Sequence, residues 1–335
     1  MLAAILSLSG PALTRDEASL FSEADAAGYI LFKRNIEDRE QVKALTAALR
    51  DLHGRDDLPI LIDQEGGRVA RMRPPEWPSF PANELFDRLY QLAPSSAIQA
   101  ARWNARAIAL TLAEVGINVD CLPMLDVRQP GASDIVGDRA LGSEPMQVSA
   151  LGRAQLEGLA SAGVVGVVKH IPGHGRALVD SHKELPFVDA SPDELAIDLE
   201  PFERLADAPM GMMSHIVYRA WDAELPASQS PTIIRDIVRS TIGFGGFLMS
   251  DDIGMEALVG DAAGRAAACV AAGCDVALQC SGLFGEMVAV CEAVGALSAE
   301  GEARLARAMA ARCTDGEGMS LAEAIDTRDQ LLALA

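Results

Sequence analysis

Apolar residues occur along the chain as short continuous runs that are separated by longer segments of mixed character. The runs do not alternate with polar residues, which is typical of parallel strands covered on both faces. Repeated strand and helix units of this kind form either an open doubly wound sheet or a closed (β/α)8 barrel. Eight strands are predicted: AAILSL (3–8), YILF (29–32), PILID (59–63), INVDCLPMLDV (117–127), GVVKHI (166–171), GMMSHI (211–216), GFLMSD (246–251) and DVALQC (275–280).

The segments between these runs carry helix signals. One helix is predicted to begin after the cap residue Thr14 and to close on Gly28, and another begins after Ser191, with Glu194 at the capping-box position. The tail after about residue 300 is also predicted to be helical. The first residues, MLAAILSLSGPAL, lack a basic segment and soon reach Ser-Gly-Pro, so we expect a first strand and not a signal peptide.

Polar residues fall at the C-terminal ends of the predicted strands. In a closed barrel those ends face one mouth, whereas in an open sheet they spread along a crevice. This placement and the count of eight favour the α/β class, with a single (β/α)8 TIM-type barrel domain over residues 1–335. No GxGxxG follows an early strand, which argues against a dinucleotide-binding fold. The strand-end polar residues are Asp63, Asp126, Lys169, His170, His215 and Asp251.

Composition narrows the partners that the protein can have. With 28 basic and 48 acidic residues the net charge is −20, which repels nucleic acid phosphates and acidic membrane surfaces. No window approaches the roughly 20 apolar residues of a membrane span. We therefore expect a cytoplasmic protein that binds neither nucleic acid nor membrane. The cysteines lack CxxC spacing and are predicted to be small core residues of a reducing compartment: Cys121, Cys269, Cys274, Cys280, Cys291 and Cys313.

The stretch KHIPGHGRALVDSH, residues 169–182, holds three of the five histidines. Its Pro-Gly-His-Gly sequence predicts a sharp turn out of the strand, after which Asp180 stands two residues before His182. Residues two apart in an extended segment point the same way. Asp180 is therefore expected to bond one ring nitrogen of His182 and to orient the imidazole as a general acid/base.

Other interpretations of this stretch remain open. His170, His174 and Asp180 could ligate zinc if other strand ends supplied further ligands, such as His215 and Asp251. The histidines could also be ordinary core or capping residues of a glycine-rich loop. A phosphate-binding loop is disfavoured because no GK[ST] sequence and no helix start follow directly.

Two arginine-containing motifs follow other strands. In LIDQEGGRVARM, Asp63 stands at the strand end, where a carboxylate can accept hydrogen bonds from vicinal hydroxyls. Arg68 and Arg71 follow a glycine turn and could fix that carboxylate or grip an anionic or carbonyl group. In IVGDRALGSEP, Arg139 stands in a glycine-flanked loop, which by itself indicates little.

The motif FLMSDDIGM delivers two carboxylates to the end of the seventh predicted strand. Asp251 could attack an electrophilic carbon, bind a cation or cap the following helix. A helix cap suits Asp252 better than Asp251, and taken alone the Ser-Asp-Asp sequence is weak evidence for any of these roles.

Taken in chain order, DQEGGRVAR, GDRALG, KHIPGHG with its following DSH, MSHIVY and MSDDIGM resemble the motifs of glycoside hydrolase family 3. More narrowly, they resemble its single-domain bacterial β-N-acetylhexosaminidases of peptidoglycan recycling. The resemblance covers almost the whole chain. Two positions depart from the pattern: Ile171 stands where phenylalanine is common, and Arg219 stands where proline is usual, in the loop after the sixth strand.

The resemblance implies a retaining exo-β-N-acetylglucosaminidase that releases GlcNAc from GlcNAc-anhydroMurNAc peptides. Chitin fragments or other β-glycosides are the alternative substrates, and a metal-dependent barrel hydrolase is the remote alternative. Asp251 matches the nucleophile, and Asp180 with His182 matches the acid/base pair, in place of the second carboxylic acid of most retaining glycosidases. We expect no cofactor, no metal, a small carbohydrate ligand, and a monomer or weak dimer. The implied sugar-binding residues are Asp63, Arg71, Arg139, Lys169 and His170.

Overall fold

The computed structural model describes residues 1–312 and 319–334. Eight parallel strands close into a barrel in which each strand pairs with its neighbours along the chain, and the last strand pairs with the first. This closure confirms the predicted (β/α)8 fold. The barrel strands are β1 (Leu2–Ser7), β2 (Ala26–Leu31), β3 (Ile60–Ile62), β4 (Val119–Asp120), β5 (Val165–Ile171), β6 (Met210–Met213), β7 (Phe247–Asp252) and β8 (Val276–Leu278).

Helices cover the outside of the barrel, with at least one after each strand. The helix after β6 is a π-helix over Ile233–Thr241. Among the described residues, no helix combines the length and the apolar character that crossing a bilayer requires. The α-helices are α1 (Arg15–Ala24), α2 (Arg39–His53), α3 (Glu84–Leu92), α4 (Pro94–Glu114), α5 (Pro145–Ala160), α6 (Pro192–Arg204), α7 (Ala262–Ala272), α8 (Phe284–Ala293), α9 (Ala299–Ala310) and α10 (Leu321–Leu332).

The predicted helix starts are confirmed, but one predicted helix end is wrong. Thr14 and Ser191 each cap a helix through a complete capping box. Helix α1 ends at Ala24, because Asp25 adopts a left-handed φ of 47° and accommodates the turn into β2. Gly28 lies within β2, where a Cβ would come 2.8 Å from a carbonyl oxygen of the neighbouring segment. That glycine reflects close strand packing and not a helix terminus.

The strands are apolar throughout because both of their faces are buried. In β1, Ala3 and Ile5 belong to the cluster inside the barrel, whereas Ala4 and Leu6 belong to the cluster that includes helix residues such as Phe21. Cys313 lies outside the described residues. The described cysteines are free, in agreement with the prediction that they form no disulfides. Those cysteines are Cys121, Cys269, Cys274 and Cys280, which are buried, and Cys291, which is half-buried.

The fourth strand is much shorter than predicted. A continuous strand over residues 117–127 is wrong, because β4 pairs only at Val119 and Asp120. Pro123 has no backbone N–H to donate, and regular pairing stops beside it. The chain returns to the sheet at a single bridge between Met124 and Lys169.

Candidate active site

A cavity of about 250 Å³ opens where the C-terminal ends of the barrel strands meet. It brings together seven of the eight residues that were predicted for the site. The eighth, Asp180, hydrogen-bonds to one of the seven, His182. The convergence follows from the closure of the barrel, as predicted. The seven lining residues are Asp63, Arg71, Arg139, Lys169, His170, His182 and Asp251.

Asp63, just after β3, lies between two cations. Its Oδ1 accepts a hydrogen bond from Lys169 Nζ at 3.0 Å, and its Oδ2 accepts one from Arg71 Nη2 at 2.9 Å. Burial acts to raise the pKa of Asp63, but the positive charges of Lys169 and Arg71 outweigh burial and hold the pKa well below its usual range. Asp63 is therefore an ionised acceptor whose orientation is set before any ligand binds.

The predicted set lacks Glu65, which is the second carboxylate of this cluster. Glu65 accepts hydrogen bonds from Arg139 at 2.8 and 2.9 Å, and its Oε1 lies 2.6 Å from Lys169 Nζ. Burial acts to raise the pKa of Glu65, but Arg139 and Lys169 lower it to about 2. Spacing could have indicated this residue, because Glu65 stands two positions after Asp63 and residues two apart share a side in extended chain.

The five residues Asp63, Glu65, Arg71, Arg139 and Lys169 are called the floor of the site below. Lys169 and Glu65 each expose only 2% of the side chain, whereas Arg139, Asp63 and Arg71 expose 10%, 17% and 29%. Three cations against two carboxylates leave the floor with one net positive charge. The floor is thus rigid, paired and rich in hydrogen-bond donors.

A small hairpin over residues 64–70 places Arg71 beside the end of β3. Its turn needs glycine, as predicted, because Gly66 and Gly67 have φ values of 98° and 54°. A Cβ on Gly66 would also lie 2.3 Å from a backbone carbonyl oxygen. Gln64 Oε1 then accepts the backbone N–H of Arg71 at 2.9 Å and holds the returning chain in place.

Asp126 supports His170 from beneath the cavity. Its Oδ2 lies 2.7 Å from His170 Nδ1, and its Oδ1 accepts the backbone N–H groups of His170 at 3.2 Å and His174 at 2.6 Å. Burial acts to raise the pKa of Asp126, but the neighbouring histidines lower it to about 2. The sequence placed Asp126 at a strand end without a function, and the structure shows that it orients His170.

Asp180 and His182 form the predicted pair, although the predicted backbone is wrong. Asp180 Oδ1 lies 2.9 Å from His182 Nδ1 and also accepts the backbone N–H of His182 at 3.0 Å. The segment is a turn and not extended chain, because Lys183 and Glu184 donate their N–H groups to the Asp180 carbonyl oxygen. A side chain that bonds the backbone two residues on stabilises such a turn. The His182 side chain is 59% exposed and lines the cavity.

Asp251 and Asp252, at the end of β7, have different environments. Asp251 Oδ1 accepts the backbone N–H of Asp252 at 2.8 Å. Burial acts to raise the pKa of Asp251, but His170 and His215 outweigh burial and lower it. Asp252 Oδ1 accepts the N–H of Gly254 and closes a turn, so its predicted role as a helix cap is wrong. Asp261 caps the following helix, α7.

The histidines do not converge as the metal interpretation would require. Within residues 1–312 and 319–334, no group of three or more His, Cys, Asp and Glu side chains is arranged to hold a metal ion. His174 Nε2 lies 3.0 Å from Ser181 Oγ. His215 bonds Ser228 Oγ through Nδ1 at 2.7 Å and the Asp252 carbonyl oxygen through Nε2 at 3.0 Å.

The cavity therefore joins an ionised carboxylate, Asp251, to an imidazole that a second carboxylate orients. A carboxylate of this kind can act as a nucleophile, and an oriented imidazole can give and take protons near neutral pH. The donor-rich floor between them suits a neutral, hydroxyl-bearing ligand. A carboxylate placed to attack and a group placed to transfer protons are the two parts of a retaining glycosidase site, here with an imidazole where most such sites have a second carboxylic acid.

Comparison with known proteins agrees with this geometry. The model of the glycosyl hydrolase family 3 N-terminal domain matches residues 3–312. A beta-hexosaminidase from Aromatoleum aromaticum is 38% identical over 282 residues, which are 83% of this chain and 78% of that protein. The chain therefore belongs to glycosyl hydrolase family 3, as the motifs indicated.

Within this family the chain groups with the beta-hexosaminidases. The crystal structure of native NagZ from Neisseria gonorrhoeae has a TM-score of 0.86 and 30% identity, and covers 98% of this chain and 97% of that one. NagZ from the same organism in complex with N-trifluoroacetyl-D-glucosamine has a TM-score of 0.87 and 29% identity, over 99% and 98% of the two chains. The predicted enzyme class is confirmed at this level.

Proposed function

We propose that this protein is a retaining exo-β-N-acetylglucosaminidase that removes terminal GlcNAc from peptidoglycan-derived muropeptides of the GlcNAc-anhydroMurNAc type. The observation that carries the proposal is the joint presence of Asp251 and His182 in one cavity, with Asp180 bonded to His182. We further propose that it acts in the cytoplasm as a monomer or weak dimer, without metal or cofactor. The complex of Neisseria gonorrhoeae NagZ with N-trifluoroacetyl-D-glucosamine supports a sugar of the GlcNAc class.

In the first step Asp251 attacks the anomeric carbon. The bond from that carbon to the aglycone oxygen breaks, and His182 gives its proton to the departing oxygen, which leaves a covalent glycosyl-enzyme. His182 then takes a proton from water, the water oxygen bonds to the anomeric carbon, and Asp251 is released. Two displacements at one carbon return the β configuration.

The floor is proposed to hold the terminal sugar. Asp63 offers carboxylate oxygens to vicinal hydroxyls, and Arg71, Arg139, Lys169 and the neighbouring His170 offer donors. Because these groups are already paired with one another, a sugar exchanges water hydrogen bonds for fixed ones and little reorganisation is needed. A cavity of about 250 Å³ suits one sugar ring, which supports removal of single terminal residues.

The rim of the cavity supports an anionic aglycone. Arg68 lines the cavity, and its side chain is 44% exposed although it pairs with Asp138 at 2.7 Å. A muramyl peptide carries carboxylates, and an imidazole acid/base adds no negative charge beside them. We therefore expect His182→Glu to lower turnover of anionic substrates more than that of neutral ones. An unchanged preference for anionic substrates in that variant would count against this part of the proposal.

Hydrolysis of 4-nitrophenyl N-acetyl-β-D-glucosaminide by the wild type, Asp251→Ala and His182→Ala tests the assigned groups. The wild type should release β-GlcNAc first, as followed by NMR before mutarotation. Asp251→Ala should be inactive while its circular dichroism and melting curve stay close to wild type. Substantial activity in Asp251→Ala, or α-GlcNAc as the first product, would overturn the nucleophile assignment.

A second comparison addresses the aglycone. The values of kcat/KM should be highest for a GlcNAc-anhydroMurNAc peptide, lower for a chitin disaccharide and lowest for a β-glucoside. Equal or better turnover of the chitin disaccharide would replace the muropeptide with the chitin alternative while keeping fold and mechanism.

A further inference from the structure

The loop that carries Asp180 and His182 contains two buried polar side chains that the mechanism does not use. Residues 172–175 of this loop are buried, whereas Leu178 is 71% exposed and the side chains of His182 and Lys183 are 59% and 80% exposed. His174 and Ser181 are nevertheless only 3% and 2% exposed. Burial of two polar side chains needs a compensating interaction.

That interaction is a hydrogen bond between them. His174 Nε2 lies 3.0 Å from Ser181 Oγ, and Ser181 is the residue between Asp180 and His182. Apart from this bond, the hydrogen bonds of residues 180–183 in the part of the chain that the structure describes stay within residues 180–184. Ser181 is thus the point at which this turn is tied to the rest of the protein by hydrogen bonding.

The other end of the bond is held firmly. The backbone N–H of His174 donates to Asp126 Oδ1 at 2.6 Å. The next residue, Gly175, packs so closely that a Cβ would lie 1.9 Å from the carbonyl oxygen of Val127. His174 is therefore held by the same carboxylate that orients His170, and Gly175 packs against the residue that follows this carboxylate in the chain.

We propose that His174 and Ser181 are positioning residues whose hydrogen bond holds the Asp180–His182 turn over the mouth of the cavity. The inference rests on the proposed function, because it assigns these residues to the proton transfer that His182 performs. Other ties of the loop, such as Arg176 Nε to Asp198 Oδ2 at 2.5 Å and Tyr218 Oη to the Gly173 carbonyl oxygen at 2.7 Å, hold the part of the loop before this turn.

The inference predicts a loss that depends on the leaving group. A general acid contributes about 10²–10⁴-fold to a reaction whose leaving group must be protonated. A phenol with two nitro groups can leave without being protonated, whereas the hydroxyl of a sugar needs a proton from the general acid to leave. A misplaced His182 should therefore slow the formation of the glycosyl-enzyme from disaccharides and spare its formation from 2,4-dinitrophenyl glycosides. The value of kcat/KM reports this first step.

The test compares kcat/KM of Ser181→Ala, Ser181→Thr and His174→Gln on GlcNAc-MurNAc and on 2,4-dinitrophenyl N-acetyl-β-D-glucosaminide. Ser181→Ala and His174→Gln should lose roughly 10- to 100-fold on the disaccharide, part of the general-acid contribution, and less than about threefold on the aryl substrate. Ser181→Thr, which keeps the hydroxyl, should restore most of the loss. Inhibition by free GlcNAc should be unchanged, since the floor is intact.

Ser149→Ala is the matched control, because Ser149 is also a buried serine, donating to the Pro145 carbonyl oxygen at 2.6 Å on α5. Equal losses on both substrates in Ser181→Ala, or no loss on the disaccharide, would overturn the inference. A variant that fails to fold would lower both rates together and show a lower melting temperature. In that case Ser181→Thr tests the inference by itself, because it keeps the hydroxyl and should retain most of the wild-type rate on the disaccharide. If the wild type hydrolyses neither substrate, the proposed function fails instead.

Discussion

The floor of the site and the Asp180–His182 turn face the same cavity but are built in opposite ways. In the floor, Lys169 and Glu65 each expose 2% of the side chain and are fixed by ion pairs of 2.6 to 3.0 Å. In the turn, the His182 side chain is 59% exposed, and its Nδ1 lies 2.9 Å from Asp180 Oδ1. The ion pairs of the floor are buried, whereas the reacting side chain of the turn is exposed.

The difference follows from what each part must do. Groups that recognise a sugar gain from being ordered beforehand, since the binding event then orders little else. A proton-transfer group must meet a leaving group and then a water molecule at the same place, so its side chain has to face the open part of the cavity. We therefore expect damage to the floor to affect folding and binding together, and damage to the turn to affect turnover alone.

Glu65→Gln should have the largest effect. It leaves Arg139 buried without its carboxylate and Lys169 paired with Asp63 alone, and removing one partner of a buried pair costs about 3–5 kcal/mol. The free energy of unfolding, measured by urea denaturation, should fall by that amount, and turnover should collapse. The control Glu40→Gln breaks an exposed pair with Lys43 and should change stability by less than about 0.5 kcal/mol. Similar free energies of unfolding for the two variants would show that the buried ion pairs of Glu65 stabilise the fold no more than an exposed ion pair does.

The same residue predicts a pH dependence. Its pKa falls from an ordinary 4.5 to about 2 on folding, so Glu65 stabilises the fold above pH 4.5 and loses this contribution as pH falls toward 2. Wild-type stability should decline across that window more steeply than the stability of Glu65→Gln, as measured by thermal melts at a series of pH values. Parallel curves would argue that Glu65 contributes no such linkage.

His182→Ala should have the second largest effect, because turnover is lost while the fold stays intact. Because the side chain is more than half exposed, the melting temperature should stay within about 2 °C of wild type, in line with small effects of surface substitutions. The value of kcat/KM on a disaccharide should fall about 10²–10⁴-fold. A large drop in melting temperature would contradict the contrast between floor and turn.

Asp180→Asn should have a smaller effect of the same kind. The amide oxygen can still accept from His182, but the negative charge 2.9 Å from the ring is lost. Without that charge the imidazolium formed in proton transfer is less well stabilised, so kcat/KM on a disaccharide should fall, but by less than the loss of about 10²–10⁴-fold expected of His182→Ala. An unchanged kcat/KM on the disaccharide in Asp180→Asn would show that the charge of Asp180 has no part in the proton transfer.

Arg219→Ala should have the smallest effect. Arg219, at the position where proline is usual, donates its backbone N–H to the Val188 carbonyl oxygen at 3.1 Å, and its side chain pairs with Asp189 at 3.0 Å. Alanine keeps the backbone bond and loses an exposed ion pair, worth about 0–1 kcal/mol, together with the contact of the guanidinium with the Phe187 ring at 5.1 Å. Arg219→Pro also loses the backbone bond, and an equal stability of the two variants, measured by urea denaturation, would contradict this account.

Local features could be predicted where one physical signal dominates. The uniformly apolar runs predicted the barrel strands because every strand is buried on both faces, and the capping boxes at Thr14 and Ser191 are local hydrogen-bond patterns. Gly28 misled the prediction because a glycine that allows close strand packing looks the same in sequence as one that ends a helix. The turn at Asp180 misled it for a similar reason, since two-residue spacing does not reveal the backbone conformation.

The sequence by itself determined the barrel, the candidate chemistry and the residues that resemble family motifs, because strand periodicity and residue type are local properties. Only the tertiary structure decided that Glu65 completes the floor, that Asp126 supports both His170 and His174, and that Ser181 is buried. Those assignments depend on distances between strand ends that lie tens of residues apart in the chain. Closure of the barrel sets those distances, and burial then decides which charges are paired and which side chains stay exposed to react.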